Sequence, residues 1–241
     1  MKNCKIIATY FGPRRFKEHS DVESNINKLD KIINSEIILD KGCDVDTLII
    51  NHDSTTVFKE AKLGKEYLNK LNGRKTKNGN IKVYHREWGE GASYGSFNWA
   101  FEHFKNDYYY WLFQEEDIEF TLLNYYKIAI EQFEKDDEVS FLCCWKYLPI
   151  SRICNTPIHC HGGCGLSNVN YLNIIHSKFG CLPYLKGKMN IDGNFENYYN
   201  DLGAISEVNF TNAHIMCGFK IKEFDCNDKI LKVYGSCGGV Y

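Results

Sequence analysis

The segment DYYYWLFQEEDIEF, residues 107–120, constrains the fold of this chain more than any other. An unbroken apolar and aromatic run, Tyr108 to Phe113, is followed after one residue by three consecutive acids, Glu115, Glu116 and Asp117. Such a run is typical of a strand that is buried on both faces of a parallel sheet. Open α/β sheets bind ligands beyond the carboxyl ends of their strands, where these acids would lie. Because neighbouring carboxylates repel one another, the cluster indicates either a divalent-metal site or a solvated acidic turn.

Strand-like and helix-like segments alternate along the chain. The periodicity predicts strands over 5–10, 46–51, 81–85, 108–113 and 139–147, and helices over 21–34, 57–71, 96–104 and 122–133. Residues 72–80 are predicted to form an exposed loop, residues 89–95 a glycine-rich loop, and Ser167 the N-cap of a helix over 168–176. This alternation predicts an α/β fold with a mainly parallel central sheet flanked by helices.

Composition narrows the functional classes. The chain has 241 residues, 44% of them hydrophobic, and 29 basic residues against 31 acidic ones, which gives a net charge of −2. This balance provides no general attraction for nucleic acid. No apolar stretch is long enough for a membrane span, and no signal peptide is recognisable, so we expect a cytoplasmic protein. The 11 cysteines, an odd number, are accordingly predicted to be free thiols.

The segment GASYGSFNWAFEHFKNDYYYWLFQEEDI, residues 91–118, combines a helix bearing Gly, Ser and Asn, a spacer, and an apolar strand that ends in acids. This order resembles the GT-A glycosyltransferases, which use nucleotide sugars and carry a DxD motif. The acid-x-acid pair falls on Glu115 and Asp117, with Glu116 between them, and the third acid leaves the register open by one residue. The resemblance implies one GT-A domain over 1–241, with 1–120 binding the nucleotide sugar and 121–241 facing the acceptor.

The resemblance also implies a divalent metal ion, Mn²⁺ or Mg²⁺. A nucleoside diphosphate gains negative charge as it leaves the sugar, and a hard cation on its phosphates stabilises that charge. Since such a cation keeps some ligand positions for substrate, one or two protein carboxylates suffice. By resemblance, Asp117 is the direct ligand and Glu115 binds the ribose or a metal-bound water. His214 is expected to be a late metal ligand or a diphosphate contact, with core packing as its alternative.

The same resemblance assigns further residues to the nucleotide. Those at strand ends are expected to contact the base and ribose, and those near the third helix the phosphates or the substrate. Ordinary strand packing, a turn, a surface position and helix capping are the structural alternatives. The residues are Thr9 and Tyr10 beside the base, Asp53 accepting from the base or ribose, Arg86 beside a phosphate, and Ser96 and Asn98 at the helix.

The phrase DGNFENYYNDLG, residues 192–203, supplies the candidate general base. It resembles the EDVxxGxxLxxLG phrase of β-1,3-galactosyltransferase-type enzymes, although Ile191 stands where that family usually has Glu. The resemblance implies that Asp192 takes the proton from the acceptor hydroxyl. Glu196, one helical turn further on, is the alternative base, and capping of a helix is the structural alternative for Asp192.

The resemblance therefore implies a metal-dependent glycosyltransferase. It would move a sugar from a nucleoside-diphosphate sugar, more specifically a UDP-sugar, to a hydroxyl of a glycan, lipid or protein acceptor. Two alternatives stay open. A sugar-nucleotide nucleotidyltransferase shares the sheet and the metal requirement, although FGPRRF after the first strand has the arginines of such enzymes without their glycine-rich loop. A non-catalytic carbohydrate-binding protein could also use this fold.

Overall fold

The computed structural model describes residues 1–11, 22–52, 59–86, 91–145, 147–148, 159–160, 163–183, 202–225 and 230–234. The strands are β1 (Lys2–Thr9), β2 (Val45–Asn51), β3 (Lys75–Thr76), β4 (Gly79–His85), β5 (Tyr108–Glu115), β6 (Ile118–Phe120), β7 (Val139–Cys143), β8 (Tyr147–Leu148), β9 (His159–Cys160), β10 (Gly165–Asn168), β11 (Lys220–Glu223) and β12 (Leu231–Val233). The helices are α1 (Val22–Ile38), α2 (Lys59–Asn69), α3 (Ala92–Phe104), α4 (Tyr125–Phe133), α5 (Val169–Phe179) and α6 (Leu202–Met216).

An eight-stranded sheet, in the order β11-β7-β10-β5-β1-β2-β4-β3, forms the centre of the described chain. Strands β5, β1, β2 and β4 run parallel to one another, and β11 runs parallel to β7. The carboxyl ends of these four neighbouring strands therefore meet at one edge, which is where an open α/β sheet binds its ligands. The predicted fold class, a mainly parallel sheet flanked by helices, is confirmed.

The sheet is buried on both faces, as the apolar run of β5 predicts. Trp111 and Phe113 pack in the cluster that contains α3 and α6, while Tyr110 and Leu112 pack in the cluster that contains α4. A third cluster packs α1 and α2 against strands β1, β2 and β4. None of the described helices is long and apolar enough to cross a membrane.

Strand β10 is an element of the sheet that the sequence did not predict. It lies between β5 and β7 and runs antiparallel to both. Gly165 begins it, and a Cβ at this position would lie 2.4 Å from the ring of Phe141, so the close approach requires glycine. Its four residues, GLSN, are all buried, although they form no apolar run.

Three local predictions need correction. Residues 72–80 contain β3 and the start of β4, which pair as a hairpin. Helix α3 begins at Ala92 after Gly91, whose φ of 85° favours glycine, so part of the predicted glycine-rich loop is helical. The N-cap of α5 is Asn168 and not Ser167, because the Asn168 side chain accepts hydrogen bonds from the backbone amides of residues 170 and 171.

The cysteines are not all free thiols. Cys143, at the end of β7, forms a disulfide with Cys160 of β9, with the Cα atoms 5.8 Å apart. Cys4, Cys43, Cys144, Cys164, Cys181 and Cys217 are the free cysteines among the described residues. The interpretation of every cysteine as a free thiol is therefore wrong for this pair.

A cluster of buried charges lies where β1 meets α1. The ammonium of Lys5 forms an ion pair with Glu36 and donates to the Tyr125 hydroxyl at 3.1 Å. Lys41 Nζ lies 3.3 Å from the other carboxylate oxygen of Glu36. Lys5 and Lys41 are fully buried and Glu36 is 2% exposed. Opposite charges thus face one another in this cluster, which we call the paired cluster.

Candidate active site

The acids of the QEEDI motif form the turn between β5 and β6. Glu115 is the last residue of β5, and Glu116 and Asp117 make the turn that leads into β6. Since β5 is a central strand of the sheet, the turn lies at the edge where the parallel strands end. The sequence prediction that acids follow the buried strand directly is confirmed.

Hydrogen bonds hold this turn in place. The side-chain amide of Gln114 donates to the carbonyl of Ile118 at 2.8 Å, which closes the turn from the strand side. The backbone amide of Tyr234, just after β12, donates to the carbonyl of Asp117 at 2.7 Å. The backbone beneath the two candidate ligands is therefore fixed by neighbours on both sides.

A fourth carboxylate approaches the turn from α6. Burial raises the pKa of Glu115 well above its ordinary value, and the nearby carboxylates of Asp117 and Glu207 raise it further. A hydrogen bond with Ser93 works in the opposite direction, and Glu116 adds to the rise. We call Glu115, Asp117 and Glu207 the acidic cluster. Partly buried carboxylates in this arrangement favour either a proton or a cation among them.

The hydroxyl of Tyr94 faces the acidic cluster from α3. Tyr94 is 2% exposed, and among the described residues its hydroxyl oxygen has no hydrogen-bond partner. Burial raises its pKa, followed by the charges of Glu207 and Glu115, so the phenol stays protonated and can donate. Gly163 lies against this side chain, and a Cβ there would come within 2.5 Å of the hydroxyl. The close approach therefore requires glycine at position 163.

Two aromatic rings are stacked at the ends of β1 and β2. Tyr10 and His52 have ring centroids 4.9 Å apart and an interplanar angle of 6°. The backbone amide of His52 donates to the carbonyl of Thr9 at 3.1 Å, which holds the two strand ends together. Because β1 lies between β2 and β5, this stack and the acidic cluster share one edge of the sheet. Stacked rings at such an edge offer a surface for a planar base.

Arg86 also lies at this edge, and it contacts Ser96, another of the predicted site residues. Arg86 is 8% exposed, and its guanidinium donates to the Ser96 hydroxyl at 3.3 Å. The Asn98 side chain accepts a hydrogen bond from the backbone amide of Leu182 at 2.7 Å. Ser96 and Asn98 lie inside α3 and do not cap it, since the helix begins at Ala92. The helix-cap alternative is therefore wrong for both residues, and a substrate role remains a prediction.

His214 packs in the core. Its Nδ1 lies 2.7 Å from the Ser140 hydroxyl, and its ring contacts Phe141 and Phe210. Burial lowers the pKa of His214 to about 3, so the imidazole is neutral at ordinary pH. In the described part of the chain, no three His, Cys, Asp or Glu side chains are arranged to hold one metal ion. The set of Asp117, Glu115 and His214 is therefore not assembled in this structure.

Three predicted site residues lie outside the described residues. They are Asp53, expected to contact the base or ribose, and the two candidate bases, Asp192 and Glu196. Their roles stay predictions.

The sequence interpretation missed Glu207, Tyr94 and His52. Tyr94 stood within the glycine-rich segment and His52 at the end of the second strand, so position alone could have nominated both. Glu207 gave no comparable signal, because only the packing of α6 brings it to the end of β5.

Comparison with known proteins gives a fold but no family. No protein-family model matches the chain, and no curated protein matches it. Among solved structures, S. aureus TarS is 14% identical with a TM-score of 0.52, and the match covers 98% of this chain and 37% of TarS. This chain thus spans little more than a third of the TarS chain. At this identity the likeness shows the fold alone, a GT-A-like α/β domain.

Two further matches are more distant. Mouse xyloside xylosyltransferase 1 is 10% identical with a TM-score of 0.40, and the match covers 70% of this chain and 67% of that one. A cytidylyltransferase from Leptospira borgpetersenii is 11% identical with a TM-score of 0.44, covering 93% and 76% of the two chains. At these TM-scores neither match distinguishes between the two kinds of enzyme.

Proposed function

We propose that this chain is a metal-dependent glycosyltransferase that transfers a sugar from a nucleoside-diphosphate sugar, in particular a UDP-sugar, to an acceptor hydroxyl. The observation that carries the proposal is the acidic cluster at the end of β5, in which burial and neighbouring carboxylates raise the pKa of Glu115. A protein seldom keeps like charges together in a partly buried place unless a ligand uses them. The acceptor is a glycan, a lipid or a protein.

The acidic cluster fits a hard divalent cation such as Mn²⁺ or Mg²⁺. Its donor atoms are carboxylate oxygens, which such ions prefer. We assign Asp117 as the direct ligand and Glu115 to the ribose or to a metal-bound water. When bound, the cation would neutralise the charge that develops on the leaving diphosphate. Substrate phosphates and waters would supply the remaining ligands, so the site does not need a group of three His, Cys, Asp or Glu ligands, which the described residues do not form.

The stacked rings of Tyr10 and His52 are the proposed platform for the nucleobase. Arg86 lies beside β2, because its backbone amide donates to the carbonyl of Asn51 at 3.0 Å. Its guanidinium can accompany a phosphate or the base. Thr9 and Asp53 complete the proposed nucleoside contacts, and Glu116 is the remaining acid beside the nucleotide.

For the acceptor hydroxyl, Glu207 is now the strongest candidate base. Glu207 is among the described residues, and it lies close enough to Glu115 and Tyr94 to raise the pKa of both. A base must stand near the anomeric carbon, which the metal-bound diphosphate would place beside the acidic cluster. Asp192 and Glu196 stay alternatives. Tyr94, whose phenol keeps its proton and can donate it in a hydrogen bond, is suited to bind an oxygen of the sugar or of the acceptor.

The test is metal-dependent binding of nucleotides by the wild type and by Asp117→Ala. Thermal shift and calorimetry with UDP, GDP, CMP and UDP-sugars, each with and without Mn²⁺, identify the nucleotide. A ligand at 100 times its dissociation constant stabilises the native state by about 2.7 kcal/mol. We expect a shift with UDP that requires Mn²⁺ and that Asp117→Ala abolishes while the protein still unfolds cooperatively.

Glu131→Gln is the matched control, because Glu131 is an exposed acid on α4 that pairs with Lys127 at 3.8 Å. Retained metal-dependent affinity in Asp117→Ala would contradict the assignment. Turnover then separates the alternatives. Release of UDP from a UDP-sugar supports transfer, whereas pyrophosphate release from a nucleoside triphosphate and a sugar phosphate indicates a nucleotidyltransferase. Binding without any turnover indicates a carbohydrate-binding protein.

A further inference from the structure

Three polar side chains form a row across the sheet, one residue from the stacked rings. Thr9 of β1 pairs with Asn51 of β2, and Asn51 pairs with His85 of β4. Alternate residues of a strand share a face, and two residues before each of these lie Ile7, Ile49 and Val83, which pack against α1 and α2. The row therefore lies on the α1–α2 face of the sheet at its ligand-binding edge.

Hydrogen bonds determine how His85 is protonated. Its Nε2 lies 2.8 Å from the Asn69 carbonyl oxygen Oδ1, which can only accept, so Nε2 carries the proton. Its Nδ1 lies 3.2 Å from the Asn51 amide nitrogen Nδ2. In the neutral ring Nδ1 can only accept, so Asn51 must donate through Nδ2. Burial lowers the pKa of His85, and the charge of Lys65 on α2 lowers it further, which favours this neutral ring.

This arrangement leaves two buried polar atoms without a hydrogen bond. Asn51 is fully buried and Thr9 is 1% exposed. Among the described residues, neither the Asn51 oxygen Oδ1 nor the Thr9 hydroxyl has a partner. Buried polar groups are almost always satisfied in native proteins, since leaving one unpaired is costly. Both atoms lie at the edge where Tyr10 and His52 stack.

We propose that Asn51 Oδ1 accepts a hydrogen bond from an N–H or O–H group of the donor's nucleoside, and that His85 is a positioning residue that holds the Asn51 amide in this orientation. The chain Asn69–His85–Asn51 acts as a relay in which each hydrogen bond fixes the next. The proposal rests on the proposed function, because the ligand is the nucleotide of that site. It adds which kind of hydrogen-bonding group the site selects. Asn51 presents an acceptor, so a ligand with a donor at this position is favoured and a ligand with an acceptor there is disfavoured.

The relay makes this polarity sensitive to pH. A protonated His85 donates through both ring nitrogens, and Asn51 must then turn so that Oδ1 accepts from Nδ1–H. This rotation of the Asn51 amide points its Nδ2–H group at the donor group of the nucleoside, and two hydrogen-bond donors then face each other. The groups that face His85 are Asn51 from β2, and Asn69 and the charged Lys65 from α2. Acid therefore weakens binding through His85 without a change in fold.

The first experiment tests the relay in the ligand-free protein. A long-range ¹⁵N–¹H correlation spectrum distinguishes the two neutral tautomers of histidine, and the signal of His85 is identified by its loss in His85→Gln. We expect the tautomer with the proton on Nε2 at pH 7.5. A proton on Nδ1 at that pH would overturn the proposal, because Asn51 would then have to present its amide nitrogen.

The second experiment measures the dissociation constant of UDP with Mg²⁺ between pH 5 and pH 8 for the wild type, His85→Phe and His85→Gln. His85→Phe cannot accept from Asn51, and we expect roughly tenfold weaker binding at pH 7.5. Glutamine can accept from Asn51 and donate to Asn69, so His85→Gln should recover most of that loss. Between pH 7.5 and pH 5 the wild type should lose roughly tenfold more affinity than His85→Gln.

Glu115 and the other residues of the site are unchanged in all three proteins, so the difference between the pH profiles isolates His85. Equal affinity of His85→Phe and the wild type at pH 7.5, or identical pH profiles of His85→Gln and the wild type, would overturn the positioning role. If the wild type binds no nucleotide at all, the proposed function fails and the ligand role of Asn51 fails with it. An Nε2–H tautomer in the first experiment would even then uphold the orientation of Asn51 by His85.

Discussion

The paired cluster and the acidic cluster both hold carboxylates away from bulk water, but the surroundings of those carboxylates differ in sign. Burial works against the charged form of Glu36, yet Lys5 and Lys41 together outweigh it, so the pKa of Glu36 is lowered. Burial also works against the charged form of Glu115, and there Asp117 and Glu207 add to the effect, so its pKa is raised. The two clusters therefore shift the pKa of the same chemical group in opposite directions.

The difference separates a structural cluster from the proposed functional one. In the paired cluster, the Thr47 hydroxyl and the Tyr125 hydroxyl surround Glu36 with further hydrogen-bonding groups. The chain itself thus supplies the counter-charges of this buried carboxylate. In the acidic cluster, by contrast, the strongest influences on Glu115 after burial are the like charges of Asp117 and Glu207, which a proton or a cation would offset. A carboxylate whose pKa is raised by like charges is thus a better pointer to a ligand than one whose pKa is lowered by opposite charges.

Glu36→Gln should give the largest effect, because it leaves Lys5 and Lys41 buried without their anion. Removing one partner of a buried ion pair typically costs about 3–5 kcal/mol. Urea denaturation at pH 7 measures this loss. Glu102→Gln is the control, since Glu102 is 42% exposed in its side chain and lies 3.3 Å from His176, and we expect a change below about 1 kcal/mol there.

A combined variant makes this prediction independent of whether Glu36→Gln folds. Replacing Lys5 and Lys41 by Met together with Glu36→Leu removes all three charges and keeps similar volumes. Such replacements are often neutral or stabilising. If the triple variant is as unstable as Glu36→Gln, the loss does not come from uncompensated charge, and the contrast with the acidic cluster disappears.

His214 provides a third way to bury a titratable group, namely without charge. Its pKa of about 3 lies below the ordinary value of 6.5. Between these two values the unfolded chain binds a proton at His214 and the native state does not. The contribution of His214 to the free energy of unfolding is therefore fully present above about pH 6.5 and is lost as the pH falls towards 3. The loss is about 1.4 kcal/mol per pH unit for this one group.

His214→Asn keeps a polar atom near the Ser140 hydroxyl but does not titrate. Between pH 7 and pH 5 we expect the wild type to lose about 2 kcal/mol more unfolding free energy than this variant. Urea denaturation at a series of pH values measures the difference, and the comparison of slopes tolerates a constant cost of the smaller side chain. Parallel pH profiles would mean that His214 is charged in the native state, which would reopen its role as a metal or diphosphate contact.

Much of the sheet could be predicted because its central strands carry their own signal. The run ending at Phe113 is a continuous apolar segment, and residues 48–50 form a shorter apolar run in β2. Such runs are typical of strands that are buried on both faces. The acids at the end of β5 could be placed for the same reason, since the parallel sheet assigns its carboxyl edge to ligands. The helical face of α3 followed from its period, with Phe97 and Phe101 both fully buried.

The rest depends on contacts between distant segments. Strand β10 consists of four residues, among them Ser167, whose hydroxyl donates to the carbonyl of Ser140 at 2.6 Å, and nothing local distinguishes it from a loop. The pairing of Cys143 with Cys160 cannot be deduced from the spacing of 11 cysteines. Helix α6 contains Asn and Thr residues that favour helix only weakly, so Glu207 could not be placed beside Glu115 from sequence.

Glu115→Gln should give the smallest change in stability and the clearest separation of stability from function. Because the folded-state pKa of Glu115 is raised, its contribution to stability is complete below about pH 4.5 and is lost as the pH rises through the folded-state value. Glutamine mimics the protonated acid at every pH, so the variant should gain about 1 kcal/mol at pH 7.5 and none at pH 4. The same variant should lose the Mn²⁺-dependent binding of UDP, because it removes a carboxylate from the site.

A variant that is less stable than the wild type at pH 7.5 and still binds UDP with Mn²⁺ would show that Glu115 has its counter-charge within the chain. The acidic cluster would then be a second paired cluster, and the carboxyl end of β5 would no longer be the candidate nucleotide-binding site.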